Sequence, residues 1–303
     1  MESEPKPRSG FVAIIGRPNS GKSTLLNALV GEKVAIVSDK PQTTRWRVKG
    51  ILTNVKGQIV FIDTPGIHKP GYGLNRRMMS ETQEALSSVD LVLLVVDAST
   101  SPGSGDRFVL GLIKGIEAPV FLLPNKIDLM RDKSRLLPFI ERYSKERDFA
   151  EIIPISAIKK DGAERLIDKI FQYLPEGKPL FPDDWFTDQP ERTLVAELVR
   201  EKILIAAREE IPYVTAVIVE RWEETDKLTK IHCIIYVEKP SERAIIIGKN
   251  GSMLKQIGSA ARADIEKLLD RHVYLGLFVK VRQHWRDDER ALDELVIGSG
   301  ANV

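Results

Sequence analysis

The chain has 303 residues, of which 43% are hydrophobic and 29% charged, values typical of a folded globular protein rather than a disordered, collagen-like or membrane-spanning one. The formal net charge is +2, so the total charge predicts no polyanionic partner by itself. The length predicts two domains. Cys233 is the single cysteine and the first ten residues are polar, so we expect a cytoplasmic protein with neither export nor a membrane anchor.

Short apolar runs alternate with amphipathic segments from Phe11 to Leu174, a rhythm that predicts a mostly parallel α/β sheet. The candidate parallel strands are residues 11–15, 59–62, 91–96, 120–123 and 152–155. Residues 47–55 are separated from the next strand by Lys56-Gly57, which suits a hairpin. We therefore expect six strands, one of them an antiparallel edge strand.

Four prolines interrupt residues 175–190, which we interpret as a linker whose Trp185 and Phe186 pack against a domain surface rather than bind a ligand. A second, smaller α+β domain follows. Its predicted elements are a helix at 191–210, strands at 214–222 and 228–237, helices at 241–247 and 252–270, and a strand at 273–281. We expect Ser241 to cap the second of these helices.

The last predicted strand alternates in polarity. Its inward residues should be Val273, Leu275, Leu277, Val279 and Val281. Its outward residues should be Tyr274, Phe278, Lys280 and Arg282.

The sequence Gly16-Arg17-Pro18-Asn19-Ser20-Gly21-Lys22-Ser23 matches the phosphate-binding loop pattern and lies between a predicted strand and helix. Glycines let backbone N–H groups surround phosphate oxygens, and the following helix directs its positive end toward them. Lys22 should reach the β and γ phosphates, and Ser23 should bind Mg²⁺. We assign phosphate contacts to Gly16, Asn19, Ser20, Gly21, Lys22, Ser23 and Thr24.

Three further motifs follow at predicted strand ends and indicate a guanine nucleotide. Asp63-Thr64-Pro65-Gly66 would place Asp63 near Mg²⁺ and the Gly66 N–H near the γ phosphate. Asn125-Lys126-Ile127-Asp128 would specify guanine, because the Asp128 carboxylate can accept its two hydrogen bonds. Asn125 should join this loop to the phosphate loop, Lys126 should flank the base, and the Ser156-Ala157 backbone should contact the guanine O6.

Pro41-Gln42-Thr43-Thr44-Arg45 supplies a threonine that would coordinate Mg²⁺ when a γ phosphate is present, and we choose Thr44 over Thr43. Ile67 occupies the position of the water-orienting glutamine of Ras-type enzymes, so intrinsic hydrolysis should be slow and no catalytic residue is assigned. The missing positive charge could come from a K⁺ ion held by Asn19 or from Arg45.

The basic charge is concentrated in the second domain. Residues 241–286 hold nine Lys or Arg and four acids, a net +5, whereas the rest of the chain sums to −3. Gly248-Lys249-Asn250-Gly251 lies between two predicted helices, as in a KH domain, and the preceding strands suggest type II. The expected RNA contacts are Gly248, Lys249, Asn250, Gly251, Lys255, Lys280 and Arg282.

Together these motifs resemble the Era family of bacterial GTPases, and the similarity extends through residues 181–186, Arg200-Glu201-Lys202 and the 248–251 loop. Ser20 stands where that family usually has valine, and residues 297–303 have no recognisable counterpart. With the elements described above, we expect a tail at 1–10, a GTPase domain at 11–174, a linker at 175–190, a KH domain at 191–297 and a second tail at 298–303.

The resemblance also implies a partner, namely small-subunit ribosomal RNA near its 3′ end, during assembly of the small subunit. It implies a monomer and leaves a peripheral membrane contact open. Two alternatives remain: a regulatory GTPase whose second domain binds a protein, and an RNA-modifying enzyme. The latter lacks a second catalytic constellation, since Cys233 lies in a strand-like run.

Overall fold

The computed structural model describes residues 6–66, 73–207 and 211–298. Within these ranges the chain divides into two compact units. The first contains residues 6–35, 44–66 and 77–188, and the second contains residues 36–43, 73–76 and 189–298. The second unit thus includes two short segments that the sequence alone assigns to the first domain. Within the described ranges, every helix is too short or too polar to cross a bilayer.

The first unit is built on a six-stranded sheet in the order β2-β3-β1-β4-β5-β6. The strands are β1 (Arg8–Ile15), β2 (Val48–Asn54), β3 (Gly57–Asp63), β4 (Leu91–Asp97), β5 (Val120–Asn125) and β6 (Glu151–Ile152). All neighbours are parallel except β2, which pairs antiparallel with β3. The predicted sheet and its edge hairpin are confirmed.

Helices cover both faces of this sheet, which explains why its central strands are apolar along their whole length. The helices are α1 (Lys22–Val30), α2 (Gly73–Ser87), α3 (Ser104–Ile113), α4 (Leu136–Ser144) and α5 (Ala163–Tyr173). One core joins alternate strand residues to α1 and α5. The other joins the intervening strand residues to α2, α3 and α4. The unit therefore has three layers, with the carboxyl ends of the strands left free for loops.

The sixth strand differs from the prediction of residues 152–155 and consists of Glu151–Ile152. The missing N–H of Pro154 removes no bond to β5, because the N–H groups that face β5 belong to the residues on either side of it. The N–H groups of Ile153 and Ile155 still donate to Leu122 O and Pro124 O. In the predicted linker, Phe186 packs against the first core, as expected, whereas Trp185 is 46% exposed.

The second unit has a three-stranded sheet with one face covered by helices. Its elements are α6 (Glu191–Ala206), α7 (Ile211–Val214), β7 (Ala216–Glu224), β8 (Thr229–Val237), α8 (Pro240–Ile247), α9 (Ser252–Leu269), β9 (Val273–Val281) and α10 (Glu289–Gly298). Strand β8 is central, antiparallel to β7 and parallel to β9. The inner face of the sheet packs against α6 and α9, with Cys233 and Val279 among the buried residues. The predicted α+β fold is confirmed.

Two local predictions for this unit are wrong, and one helix was not predicted. Lys239, not Ser241, occupies the N-cap of α8, because Pro240 takes the first helical position and Glu242 accepts the N–H of Lys239. Val281 is 36% exposed, since it ends β9 beyond the packed helices. Helix α10 was not predicted, and its buried Leu292 shows that it packs despite a charged beginning.

Candidate functional site: a phosphate loop and a base-binding loop at the strand ends

The loop after β1 requires glycine at two positions. A Cβ on Gly16 would lie 2.3 Å from the carbonyl oxygen of Val95. Gly21 has φ +97°, and a Cβ there would lie 2.3 Å from Nδ2 of Asn125. Asn19 also has a left-handed backbone, at φ 60°. These conformations turn the loop tightly into α1, whose N-terminal N–H groups are oriented to bind an anion.

Lys22 begins α1, next to buried Ser20 and half-buried Ser23 and Thr24. The Lys22 Nζ donates to the Arg17 carbonyl oxygen at 3.1 Å. Burial lowers the pKa of Lys22, while attraction to Asp63 opposes this shift. A phosphate bound in this loop would place negative charge beside Lys22 and so offset the cost of burying its positive charge.

Ser23, Thr44 and Asp63 come together from three different segments of the first unit. The Ser23 Oγ donates to Asp63 Oδ2 at 2.7 Å and lies 2.9 Å from the Thr44 Oγ1. Burial raises the pKa of Asp63, and the charge of Lys22 and the two hydroxyl groups oppose the rise. The other oxygen, Oδ1, is buried without a hydrogen-bond partner in the described ranges. Such a cluster of oxygens fits Mg²⁺, a hard cation that prefers oxygen ligands.

The neighbouring threonine is directed elsewhere. The Thr43 Oγ1 donates to the Lys40 carbonyl oxygen at 2.6 Å and pairs with Ser38. Of the two threonines, Thr44 is the one whose hydroxyl lies beside Ser23. Arg45 is 4% exposed. Gly66 approaches the phosphate loop, because a Cβ there would lie 3.2 Å from the Cα of Pro18. Ile67 lies outside the described residues.

A second group of site residues comes from two loops, one that follows β5 and one that follows the segment after β6. Nδ2 of Asn125 donates to the Ser20 carbonyl oxygen at 2.8 Å, and its Oδ1 accepts from the Ala157 N–H at 3.0 Å. One buried amide therefore joins the phosphate loop to the Ser156-Ala157 turn. The Asp128 Oδ1 accepts from the Ser156 Oγ at 2.5 Å, which fixes the carboxylate that should recognise the base.

Asp97 is a site residue that sequence reasoning missed. It ends β4 beside Asn125, and its Oδ2 accepts from Lys126 Nζ at 2.8 Å and lies 3.8 Å from Arg17 Nη2. Burial opposes its ionisation, but bonds from Lys126 and Ser99 prevail and hold the pKa of this carboxyl below its usual value. The available signal was an acid at the carboxyl end of a parallel strand, where ligands commonly bind.

In the second unit, the 248–251 loop joins α8 to α9 through strained backbone. Gly248, Asn250 and Gly251 have φ angles of 73°, 53° and 75°. A Cβ on Gly248 would lie 2.7 Å from the Cβ of Met253, so only glycine fits. Lys249 and Asn250 are exposed, as is Lys255 in the first turns of α9. The loop and the start of α9 therefore present Lys249, Asn250 and Lys255 together to solvent.

Lys280 and Arg282, which were also predicted to contact RNA, lie at the end of β9 and directly after it. Lys280 alternates with buried Val279, so it lies on the face of the sheet opposite α9. Its Nζ is 3.1 Å from Glu220 Oε1. The Arg282 guanidinium is 5.8 Å from the ring centre of Tyr236 and 3.3 Å from Asp288 Oδ2. The sequence grouped these two cations with the loop, whereas the structure directs Lys280 to another surface.

Helix α6 holds the segment that precedes Thr44. Within the second unit, the Arg200 Nη2 donates to the Thr43 carbonyl oxygen, and Glu201 Oε1 accepts the N–H of Val37 at 3.0 Å. Lys202 lies between Glu201 and Asp264 of α9. These charged residues of α6 therefore connect the 36–43 segment to the helix that follows the 248–251 loop.

The fold and the two clusters define a GTPase with a C-terminal KH domain. The family model for the 50S ribosome-binding GTPase matches residues 11–126, and that for the KH domain matches residues 210–286. GTPase Era of Heliobacterium modesticaldum is 51% identical over 93% of this chain and 94% of its own length. GTPase Era of Geobacter metallireducens is 51% identical, covering 95% and 97%.

Two solved structures of Era proteins are similar to this chain over nearly all of its length. A single-residue variant of Aquifex aeolicus Era bound to GDP·AlF4⁻ superposes with a TM-score of 0.92 at 40% identity, covering 95% of this chain and 98% of the other. Era in complex with MgGDPNP and nucleotides 1506–1542 of 16S ribosomal RNA gives the same TM-score, identity and coverage. The chain belongs to the GTPase Era family, and it is a GTP hydrolase.

Proposed function

We propose that this GTPase binds 16S ribosomal RNA near its 3′ end through its KH domain, and that it acts as a GTP-controlled factor in small-subunit assembly. The observation that carries the proposal is the exposed, left-handed 248–251 loop, which offers its backbone and Lys249 to a phosphate chain. The protein crystallised with nucleotides 1506–1542 is 40% identical and matches nearly the whole chain. That likeness disfavours the alternative of a protein-binding second domain.

The nucleotide residues have proposed roles. Gly16, Asn19, Ser20, Gly21, Lys22 and Thr24 would surround the phosphates, and Ser23 and Thr44 would ligate Mg²⁺ directly while Asp63 holds it through water. The buried, unpaired Oδ1 of Asp63 supports this assignment. Mg²⁺ when bound would neutralise charge between the β and γ phosphates. Asp128 would accept hydrogen bonds from guanine, and the pocket around the base would be formed by Asn125, Lys126, Ser156 and Ala157.

We propose that a K⁺ ion near Asn19 supplies the positive charge that accelerates hydrolysis. Asn19 is exposed at the turn of the phosphate loop, where a cation would contact both the protein and the nucleotide. Arg45 is the competing source, but its side chain is buried within the first unit. A monomeric state and a peripheral membrane contact stay predictions.

The RNA assignment is tested by the double variant Lys249→Asp with Asn250→Asp in the full-length protein. It shifts the local charge by −3 at two exposed positions, so phosphate contacts should be lost while the fold is kept. We expect at least about tenfold weaker binding to labelled 16S RNA 1506–1542 and a salt slope reduced by about one. GTP binding should be unchanged.

A matched control places the same charge change in the first unit. Ser144→Asp with Lys145→Asp also alters two exposed residues by −3 and should leave RNA affinity close to that of the wild type. If both variants bind RNA as tightly as the wild type, the loop is not the RNA clamp. If both weaken equally, general repulsion rather than the loop explains binding.

A further inference from the structure

The outer face of the second-unit sheet, opposite α6 and α9, carries a row of three aromatic rings. Tyr274 and Phe278 on β9 are 53% and 52% exposed. His232 on β8 lies between them, with its ring centre 5.7 Å from that of Tyr274 and 6.1 Å from that of Phe278. The His232 and Phe278 planes differ by 26°, so these two rings are stacked. We call Tyr274, His232 and Phe278 the aromatic row.

Gly276 allows this arrangement. It pairs with His232 across β8 and β9, and a Cβ at this position would lie 2.7 Å from Nδ1 of His232. Without a side chain there, the imidazole can lie over the backbone between the two exposed rings. The row is therefore set by the strand register and does not depend on a mobile loop.

Cations surround the row on the same face. Lys230 is paired with Tyr274, Arg221 is paired with His232, and Lys280 follows Phe278 by two residues. Lys280 and Arg221 form ion pairs with Glu220 and Glu223, but the four side chains are between 40% and 69% exposed. Such solvated pairs contribute little stability, so a phosphate can replace the carboxylate at small cost.

We propose that the aromatic row is a second RNA-binding surface, separate from the 248–251 loop, on which successive unpaired bases stack. This inference rests on the proposed RNA-binding function. Rings about 6 Å apart on a sheet, bordered by cations, match the way sheets bind single strands: bases stack on aromatic faces while lysines and arginines contact phosphates. An RNA strand longer than the roughly four nucleotides clamped by the loop could reach this face.

The test is the full-length double variant Tyr274→Ala with Phe278→Ala, titrated with fluorescent 16S RNA 1506–1542 at several salt concentrations. Stacking contributes enough that we expect about a tenfold loss of affinity per ring. Because no phosphate contact is removed, the dependence of log Kd on log salt should keep its slope. Tyr274→Phe with Phe278→Tyr retains both rings and should bind like the wild type. Trp185→Ala removes a similarly exposed aromatic residue from the first unit and should also have no effect.

Circular dichroism and GTP binding verify that the double variant is folded. An affinity within threefold of the wild type would overturn the proposal, as would a loss accompanied by a reduced salt slope, which indicates phosphate contacts instead. Loss of binding to anionic vesicles or to a protein, with RNA affinity intact, would assign the face to that partner and also overturn it. If the wild type itself fails to bind this RNA, the proposed function fails first, so the two failures are distinguishable.

Discussion

Replacing Asp97 with asparagine removes a buried negative charge while preserving side-chain size. The carboxylate is 8% exposed and accepts a 2.8 Å bond from Lys126, with Arg17 at 3.8 Å. A hydrogen bond to a charged group contributes about 1.5–3 kcal/mol. We therefore expect the unfolding free energy of the nucleotide-free protein to fall by about 2 kcal/mol at pH 7. Lys126 also loses its anchor beside the base site, so GDP should dissociate about tenfold faster.

This loss should depend on pH. The pKa of Asp97 is lowered in the folded protein, so its stabilising effect is present above the unfolded value of about 3.9. It disappears as the pH falls through the lower folded value. The difference in stability between the wild type and the variant should therefore be constant near neutrality and shrink below about pH 4.

The assay is urea unfolding of both proteins between pH 3 and 7, together with dissociation of a fluorescent GDP analogue. Asp168→Asn is the matched control, because Asp168 pairs with Lys56 at a surface where the side chains are 58% and 51% exposed. Its cost should stay below about 1 kcal/mol. An unchanged Asp97→Asn protein at pH 7, or equal losses in both variants, would refute the reasoning.

Three further outcomes are expected at the nucleotide site. Asp128→Asn should shift preference from guanine toward xanthine nucleotides, because the amide donates where the carboxylate accepted; a competition titration that still favours GTP would remove Asp128 from the base site. Turnover should drop when Na⁺ replaces K⁺ at constant ionic strength, with little change in GTP affinity, and equal rates would direct attention to Arg45. Thr44→Ala should weaken Mg·GTP binding about tenfold but leave GDP binding unchanged, since Thr44 would ligate Mg²⁺ only in the GTP-bound state; equal weakening of both nucleotides would argue for a structural role.

Local chemistry determined much of this protein from its sequence. The phosphate loop, Asp63-Thr64-Pro65-Gly66 and the Asn125–Asp128 motif each combine neighbouring residues whose spacing already implies a turn at a strand end, so their places in the fold could be predicted. The same holds for the 248–251 loop, because glycines between two helical segments mark a left-handed turn. Hydrophobic periodicity likewise predicted the sheet of each unit.

Tertiary structure decided what depends on residues distant in sequence. Only the strand order brings Asp97 next to Asn125 and Lys126, and only the folded loop shows why a side chain at Gly21 would collide with Asn125. Alternation predicted that Tyr274, Phe278 and Lys280 point outward, but pairing of β8 with β9 was needed to place His232 between the two rings. The grouping of residues 36–43 with the second unit arises from contacts with α6. Periodicity shows which side of a helix or strand is apolar. Which other helix or strand that side contacts depends on how all the elements pack together.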